Sequence, residues 1–236
     1  MGTLRKALIL HGWTYSKNDV DPLEKWEPVI KILRNSGLDT GLLKIPVLTL
    51  TSDKVFTLGH YVDWLNKKIL DKKVILIGHS NGGRISLAYT RKFPEKVDKL
   101  ILIDSAGIFH NELQIRLKRF VFKFLAKAGR KFISSEKLKV LLYKLARERD
   151  YVNATSTQRQ TMLNLINSDL TPILNQIKKD TLIIWGANDK ITPLSDGIKM
   201  HKLISGSRLE VLKDARHSPQ FSNPEEVGKL ITDFLK

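Results

Sequence analysis

Val74-Ile75-Leu76-Ile77-Gly78-His79-Ser80-Asn81-Gly82 is the stretch whose reading decides the fold. Four consecutive apolar residues, mostly β-branched, read as a strand buried on both faces, as in a central parallel sheet. Ser80 to Phe93 reads as a helix stopped by Pro94. Between them lies a Gly-x-Ser-x-Gly turn. That pentapeptide is a weak signal alone, because chance matches are frequent, but the strand–turn–helix context makes it specific. Such a turn holds Ser80 in strained backbone geometry and lifts its hydroxyl out of the sheet. It leaves no room for side chains at Gly78 or Gly82. The following N–H groups then face a substrate oxygen, and the helix dipole favours negative charge there. An ordinary tight turn into a helix is the bland alternative.

Working outward, short apolar runs alternate with helical patterns, the signature of βαβ units. Upstream, Ala7–Leu10 is a strand ended by His11-Gly12, and a helix runs from about Trp26 to Asn35, closed by Gly37. Leu42–Val47 is the second strand candidate, interrupted by Pro46, and residues 59–70 carry a helical period. Downstream, Leu100–Ile103 is the fourth strand, Thr181–Trp185 the fifth and Leu209–Leu212 the last. Thr192 is the expected N-cap of a helix opening at Pro193, and Thr171-Pro172 opens a shorter helical segment. Asn223-Pro224 opens the C-terminal helix, with Val227, Leu230, Ile231, Phe234 and Leu235 inward. The plan is an α/β fold with a mostly parallel six-stranded sheet flanked by helices. Residues 1–105 and 179–236 form the core, and 106–178 a helical insertion after the fourth strand.

The insertion carries two apolar stripes. Leu113, Leu117, Phe120, Val121, Phe124 and Leu125 make one, and Leu138, Leu141, Leu142 and Leu145 the other. Half of the chain's net charge of +16 lies between Glu112 and Asp150, where twelve basic residues face four acidic ones. A solvated helix face explains this charge, and no nucleic-acid-binding motif accompanies it. A basic amphipathic helix also allows peripheral contact with anionic surfaces. There is no cysteine, so nucleophilic chemistry must use an oxygen or an amine. No apolar run approaches the ~20 residues of a membrane span, and no signal-peptide pattern follows Ala7–Leu10, so a cytoplasmic protein is the expectation.

A serine hydroxyl is a poor nucleophile at neutral pH and needs a base. Of six histidines, His217 alone stands in a loop after the last strand, within Asp214-Ala215-Arg216-His217-Ser218-Pro219. Such strand ends are where α/β sheets place their chemistry. The base in turn needs a carboxylate, and Asp189, after the fifth strand, lies at the same sheet end. Asp104, ending the fourth strand, is the rival acid; its competing role is to bond the backbone N–H groups of the Ser105-Ala106-Gly107 turn.

Ser80, Asp189 and His217 follow the chain order nucleophile, acid, histidine, and on these residues the chain resembles the α/β-hydrolase family. The turn His11-Gly12-Trp13 is similar to the family's oxyanion loop, and Pro94-Glu95-Lys96-Val97 and Asn223-Pro224-Glu225 also resemble it. The resemblance implies an oxyanion hole from the N–H groups of Trp13 and Asn81, an elbow of Gly78, His79 and Gly82, and a cap at 106–178. It implies no cofactor and no metal. The expected activity is hydrolysis of a carboxylic ester, with an apolar acyl group, through an acyl-enzyme. Carbon–carbon bond hydrolysis, thioester hydrolysis and acyl transfer use nearly the same parts. The turn lacks the glycine-proline-glycine run of the carbon–carbon hydrolases, and His79 stands where they often carry asparagine, which weighs against that reading. A ligand-binding sensor with a vestigial site is the alternative of another class.

Overall fold

Strand β3 (Val74–His79) is buried along its whole length and sits third in a six-stranded sheet. The structure, a computed structural model, describes residues 4–13, 23–48, 52–70, 73–110 and 154–236. The sheet order is β2-β1-β3-β4-β5-β6, with β1 at Arg5–Leu10, β2 at Leu38–Leu43, β4 at Val97–Ile103, β5 at Thr181–Gly186 and β6 at Arg208–Leu212. Every pairing is parallel. Parallel neighbours require crossovers, and helices supply them. These are α1 (Glu27–Asn35), α2 (Leu58–Lys68), α3 (Asn81–Lys92) and α5 (Leu194–Leu203). Helix α4 (Ser156–Ile166) leads back to β5, and α6 (Pro219–Ser222) and α7 (Pro224–Leu235) end the chain.

Alternate strand residues feed two apolar layers. Leu8, Leu10, Leu76, Leu100, Leu102, Ile183 and Trp185 face α2, α3 and α5, whereas Ala7, Ile9, Ile75, Ile77, Ile101, Ile103, Leu182 and Ile184 face α1 and α7. Each fully buried large aliphatic or aromatic side chain contributes about 1.5–3 kcal/mol. With both faces covered, the central strands need no polar alternation, which is why they read as continuous apolar runs.

Three local readings are corrected. The second strand is Leu38–Leu43 rather than Leu42–Val47. Gly37, at φ 86°, ends α1 so abruptly that Leu38 is already paired with Arg5 of β1, and Pro46 lies beyond the strand. The helix after β5 is capped at Pro193, not Thr192, whose hydroxyl is spent elsewhere. Thr171 lies inside its 3-10 turn (Thr171–Gln176) rather than capping it. Asp169 Oδ1 accepts from Thr171 N at 2.9 Å and from Thr171 Oγ1 at 2.7 Å, doing the work of a cap. The chain does insert helical sequence between β4 and β5, and described α4 packs Leu165 into the core. The basic segment and both apolar stripes, within 111–153, lie outside the described residues. Among the described residues no helix is long and apolar enough to cross a membrane.

Candidate active site

The site is built where β1, β3, β4, β5 and β6 end. Ser80 joins β3 to α3 with φ 52° and ψ −119°, a conformation that costs a non-glycine residue roughly 1–3 kcal/mol. Close packing holds it there. A Cβ on Gly82 would run into the carbonyl oxygens of Leu10 and His11, and one on Gly78 would sit 2.6 Å from Gly83 Cα. The elbow is therefore wedged between β1 and its own helix.

Asp189 and His217 meet directly. His217 Nδ1 lies 2.7 Å from Asp189 Oδ2, whose side chain is buried, so Nδ1–H donates and Nε2 keeps the lone pair that a general base needs. Burial alone would raise Asp189. The hydrogen bond and charge of His217, with donors from Thr192 Oγ1 and Ile191 N, outweigh it and hold the carboxyl below its ordinary range. Among the described residues no hydrogen bond joins Ser80 Oγ to His217. Such contacts are commonly long until substrate binds.

His79, the residue before Ser80, ties the two halves together. Its Nε2–H donates to the backbone oxygen of His217 at 3.1 Å, and its ring lies 5.1 Å from that of His217. Burial, and then the charge on His217, push the His79 imidazole down to about 3, so it stays neutral. On the other side, Ile45 N donates to His11 Nε2 at 3.3 Å, which places the His11 proton on Nδ1, 2.6 Å from Gly12 O. His11 thus fixes the loop that carries Trp13. A Cβ on Gly12 would lie 2.9 Å from Ser80 Cβ, so the loop's backbone passes directly over Ser80. Asn81 is the first residue of α3, where a helix leaves its N–H without an internal acceptor. Trp13 and Asn81 therefore flank Ser80 from two elements.

The remaining histidines have other work. His60 completes the capping box of α2 with Thr57, His110 Nε2 bonds Asp196 Oδ2 at 2.9 Å, and His201 bonds Ser207. Sequence reasoning missed Thr192 as a site residue. Its Oγ1 lies 2.6 Å from Asp189 Oδ2, 3.1 Å from the backbone oxygen of Asp104 and 3.2 Å from His217 Nδ1. The Thr192-Pro193 pair suggested only a helix start. Asp104 also differs from expectation. Its Oδ1 accepts from Gly186 N at 2.8 Å, across the sheet, rather than from its own turn. Among the described residues His79, Asp104 and His217 are the group with metal-ligand chemistry, their donor atoms within 4.8 Å of one another. One nitrogen of each imidazole is already engaged, His79 Nε2 with the His217 backbone oxygen and His217 Nδ1 with Asp189. The leucine and phenylalanine stripes that suggested an apolar acyl pocket lie in 111–153.

Comparison with known proteins agrees with this architecture. The family model described as alpha/beta hydrolase fold matches residues 8–224. A 2-hydroxy-6-oxononadienedioate/2-hydroxy-6-oxononatrienedioate hydrolase of Escherichia coli (strain K12) is 28% identical, over 95% of this chain and 82% of that protein. A meta-cleavage product hydrolase from Pseudomonas fluorescens superposes with a TM-score of 0.69 at 18% identity, covering 98% of this chain and 90% of the other. A thermophilic esterase from Thermogutta terrifontis does so at 0.68 and 22% identity, covering 99% and 90%.

Proposed function

The chain belongs to the alpha/beta hydrolase fold family, and on that premise we propose that it cleaves carboxylic esters through an acyl-enzyme, with Ser80 as nucleophile, His217 as base and Asp189 as its acid. The observation that carries this reading is the 2.7 Å contact between His217 and buried Asp189, at the same sheet end as a serine strained onto an elbow. His217 Nε2 takes the Ser80 proton as Oγ attacks the ester carbonyl. The N–H groups of Trp13 and Asn81 receive the oxyanion, and His217 returns the proton to the leaving alcohol. Water, deprotonated by the same imidazole, then releases the acid. Each oxyanion donor is worth about 3–4 kcal/mol in such sites.

A second reading has its own support. The Escherichia coli relative, matched over nearly all of this chain, is named as a hydrolase of a 2-hydroxy-6-oxo dienedioate. The same triad then serves water addition at a ketone and cleavage of the adjacent carbon–carbon bond. The missing glycine-proline-glycine run and His79 in place of asparagine still favour the ester.

Purified protein, assayed against p-nitrophenyl esters of graded acyl length and against a 2-hydroxy-6-oxo-dienoate, tests both. Ester turnover abolished to background by Ser80→Ala supports the first reading, because loss of a nucleophile costs roughly a millionfold. Dienoate cleavage with no ester turnover replaces it with the second. Activity that survives Ser80→Ala on either substrate removes both.

A further inference from the structure

Asp104 ends β4, one strand from Asp189, with its backbone at φ 40°, where an aspartate is strained. Its side chain is fully buried. Oδ1 accepts from Gly186 N, but Oδ2 has no hydrogen-bond partner among the described residues. A buried carboxyl oxygen without a donor is costly, and a residue serving only to tie two strands has no need to carry that cost.

The titratable groups that face it come from three elements: His79 at the end of β3, Asp189 in the loop after β5 and His217 in the loop after β6. One Asp104 oxygen and one ring nitrogen each of His79 and His217 lie within 4.8 Å of one another. Thr192 Oγ1, which contacts both Asp189 and His217, also reaches the Asp104 backbone oxygen. Two carboxyls from adjacent strands thus flank one imidazole, and only one of them is bonded to it.

We infer that Asp104 is a positioning residue for His217, a second carboxyl that takes over the orientation of the imidazole when the Asp189 carboxylate is removed. The inference rests on the triad reading of the site. Burial first, and the neighbouring negative charge of Asp189 in support, push Asp104 up to about 8, against the opposing hydrogen bond from Gly186. At neutral pH the pair therefore carries one charge, on Asp189. Removing the Asp189 charge takes away the like-charge part of that shift while burial still opposes ionisation, so Asp104 gives its proton to solvent only as pH rises toward 8. Its free Oδ2 becomes the acceptor for His217 Nδ1–H after a short side-chain movement. No covalent bond changes.

The test reads the rate at which a fluorophosphonate modifies Ser80 between pH 5 and 9, which requires no knowledge of the natural substrate. Wild type, Asp104→Asn, Asp189→Asn and the double variant are compared, with melting temperatures to establish folding. Asn at 104 keeps an acceptor for Gly186 N. Asp189→Asn is expected to react tenfold or more faster than the double variant, with a rising limb above pH 7 that the double variant lacks. Asp104→Asn is expected to cost more in the Asp189→Asn background than in wild type, whereas a purely structural Asp104 costs the same in both. Equal rates for Asp189→Asn and the double variant overturn the inference. If the double variant does not fold, the single Asp189→Asn decides. A downfield His217 Nδ1–H proton resonance that grows in as pH rises supports the second carboxyl, and its absence overturns it. Wild type that is not labelled at Ser80 brings down the triad reading itself, whereas labelled wild type with equal variants removes only Asp104.

Discussion

Thr192 Oγ1 lies 2.6 Å from Asp189 Oδ2, and both groups are buried. The hydroxyl has one proton, and the carboxylate accepts it, leaving the oxygen to face His217 Nδ1 at 3.2 Å. Thr192 therefore orients the acid while the acid orients the base. Thr192→Val keeps the side chain's shape and removes both contacts. It is expected to reduce ester turnover about tenfold in kcat, with KM little changed, and to cost about 1–3 kcal/mol of stability. Steady-state kinetics with urea denaturation checks this; an unchanged kcat would assign Thr192 to packing alone.

Gly12 and Ser80 give a second prediction. A methyl group at position 12 has to displace Ser80 Cβ, 2.9 Å away, or the His79 ring, 3.0 Å away, or move the loop itself. Each outcome misplaces the Trp13 N–H relative to the oxyanion. Removing such a donor typically costs about 10²–10³ in rate. Gly12→Ala is expected to lose that much kcat while remaining folded by circular dichroism. A variant with wild-type kcat would show that the oxyanion is not held from this loop.

Two buried groups on either side of His217 give stability opposite pH dependences. Asp104 is raised from its ordinary 3.8 to about 8, so between about pH 4 and 8 the folded chain keeps a proton that the unfolded chain has released. Its contribution therefore falls as pH rises through that window and levels above it. His79 is lowered from 6.5 to about 3, so the unfolded chain holds the extra proton between about pH 3 and 6.5, and stability rises with pH there. The two oppose each other below about 6.5, and Asp104 acts alone from there to about 8. Relative to wild type, Asp104→Asn is expected to gain stability steadily from pH 4 to 8. His79→Gln is expected to gain as pH falls below 6.5. Urea midpoints at unit pH intervals check both, and curves parallel to wild type would contradict them.

The elbow and five of the six strands were legible because their signals are local. A strand such as Val74–Ile77, buried on both faces, is apolar throughout, and the Gly-x-Ser-x-Gly turn follows it directly. That Asp189 and His217 lie together was legible from their places after strands, since a parallel sheet brings those ends together. What failed was information that only tertiary contact holds. The start of β2 depends on Leu38 meeting Arg5, and nothing in Leu38-Asp39-Thr40-Gly41 announces a strand as strongly as the Leu42–Val47 run that the sequence suggests instead. Thr192 carries a good helix-cap pattern, and only the approach of the β4 and β6 loops turns its hydroxyl to the triad. Asp104 bonds across to Gly186, a partner 82 residues away. Side-chain partners at such separations have no local sequence signature.

Arg84, four residues after the nucleophile, is 5% exposed on α3. Among the described residues its guanidinium bonds to backbone carbonyls rather than to carboxylates. Nη1 donates to the backbone oxygens of Leu165 and, at 2.7 Å, Ser168, at the end of α4, while Nε has no partner. The last carbonyls of a helix lack internal donors, and the negative end of the helix dipole favours a cation there. Burial lowers the guanidinium to about 10, partly offset by the charge of Asp169, which still leaves it protonated at neutral pH. Arg84 thus fastens the segment returning from the insertion to the helix that carries Ser80. Arg84→Met fills similar volume but leaves those carbonyls without their donor. It is expected to destabilise the fold by about 2–4 kcal/mol, and Arg84→Lys, with a single ammonium in place of the planar fork, to recover only part of that. Chemical denaturation of the three proteins decides it: if the Met variant unfolds at the wild-type midpoint, the junction between α3 and α4 is held by apolar packing of Leu165 and its neighbours instead.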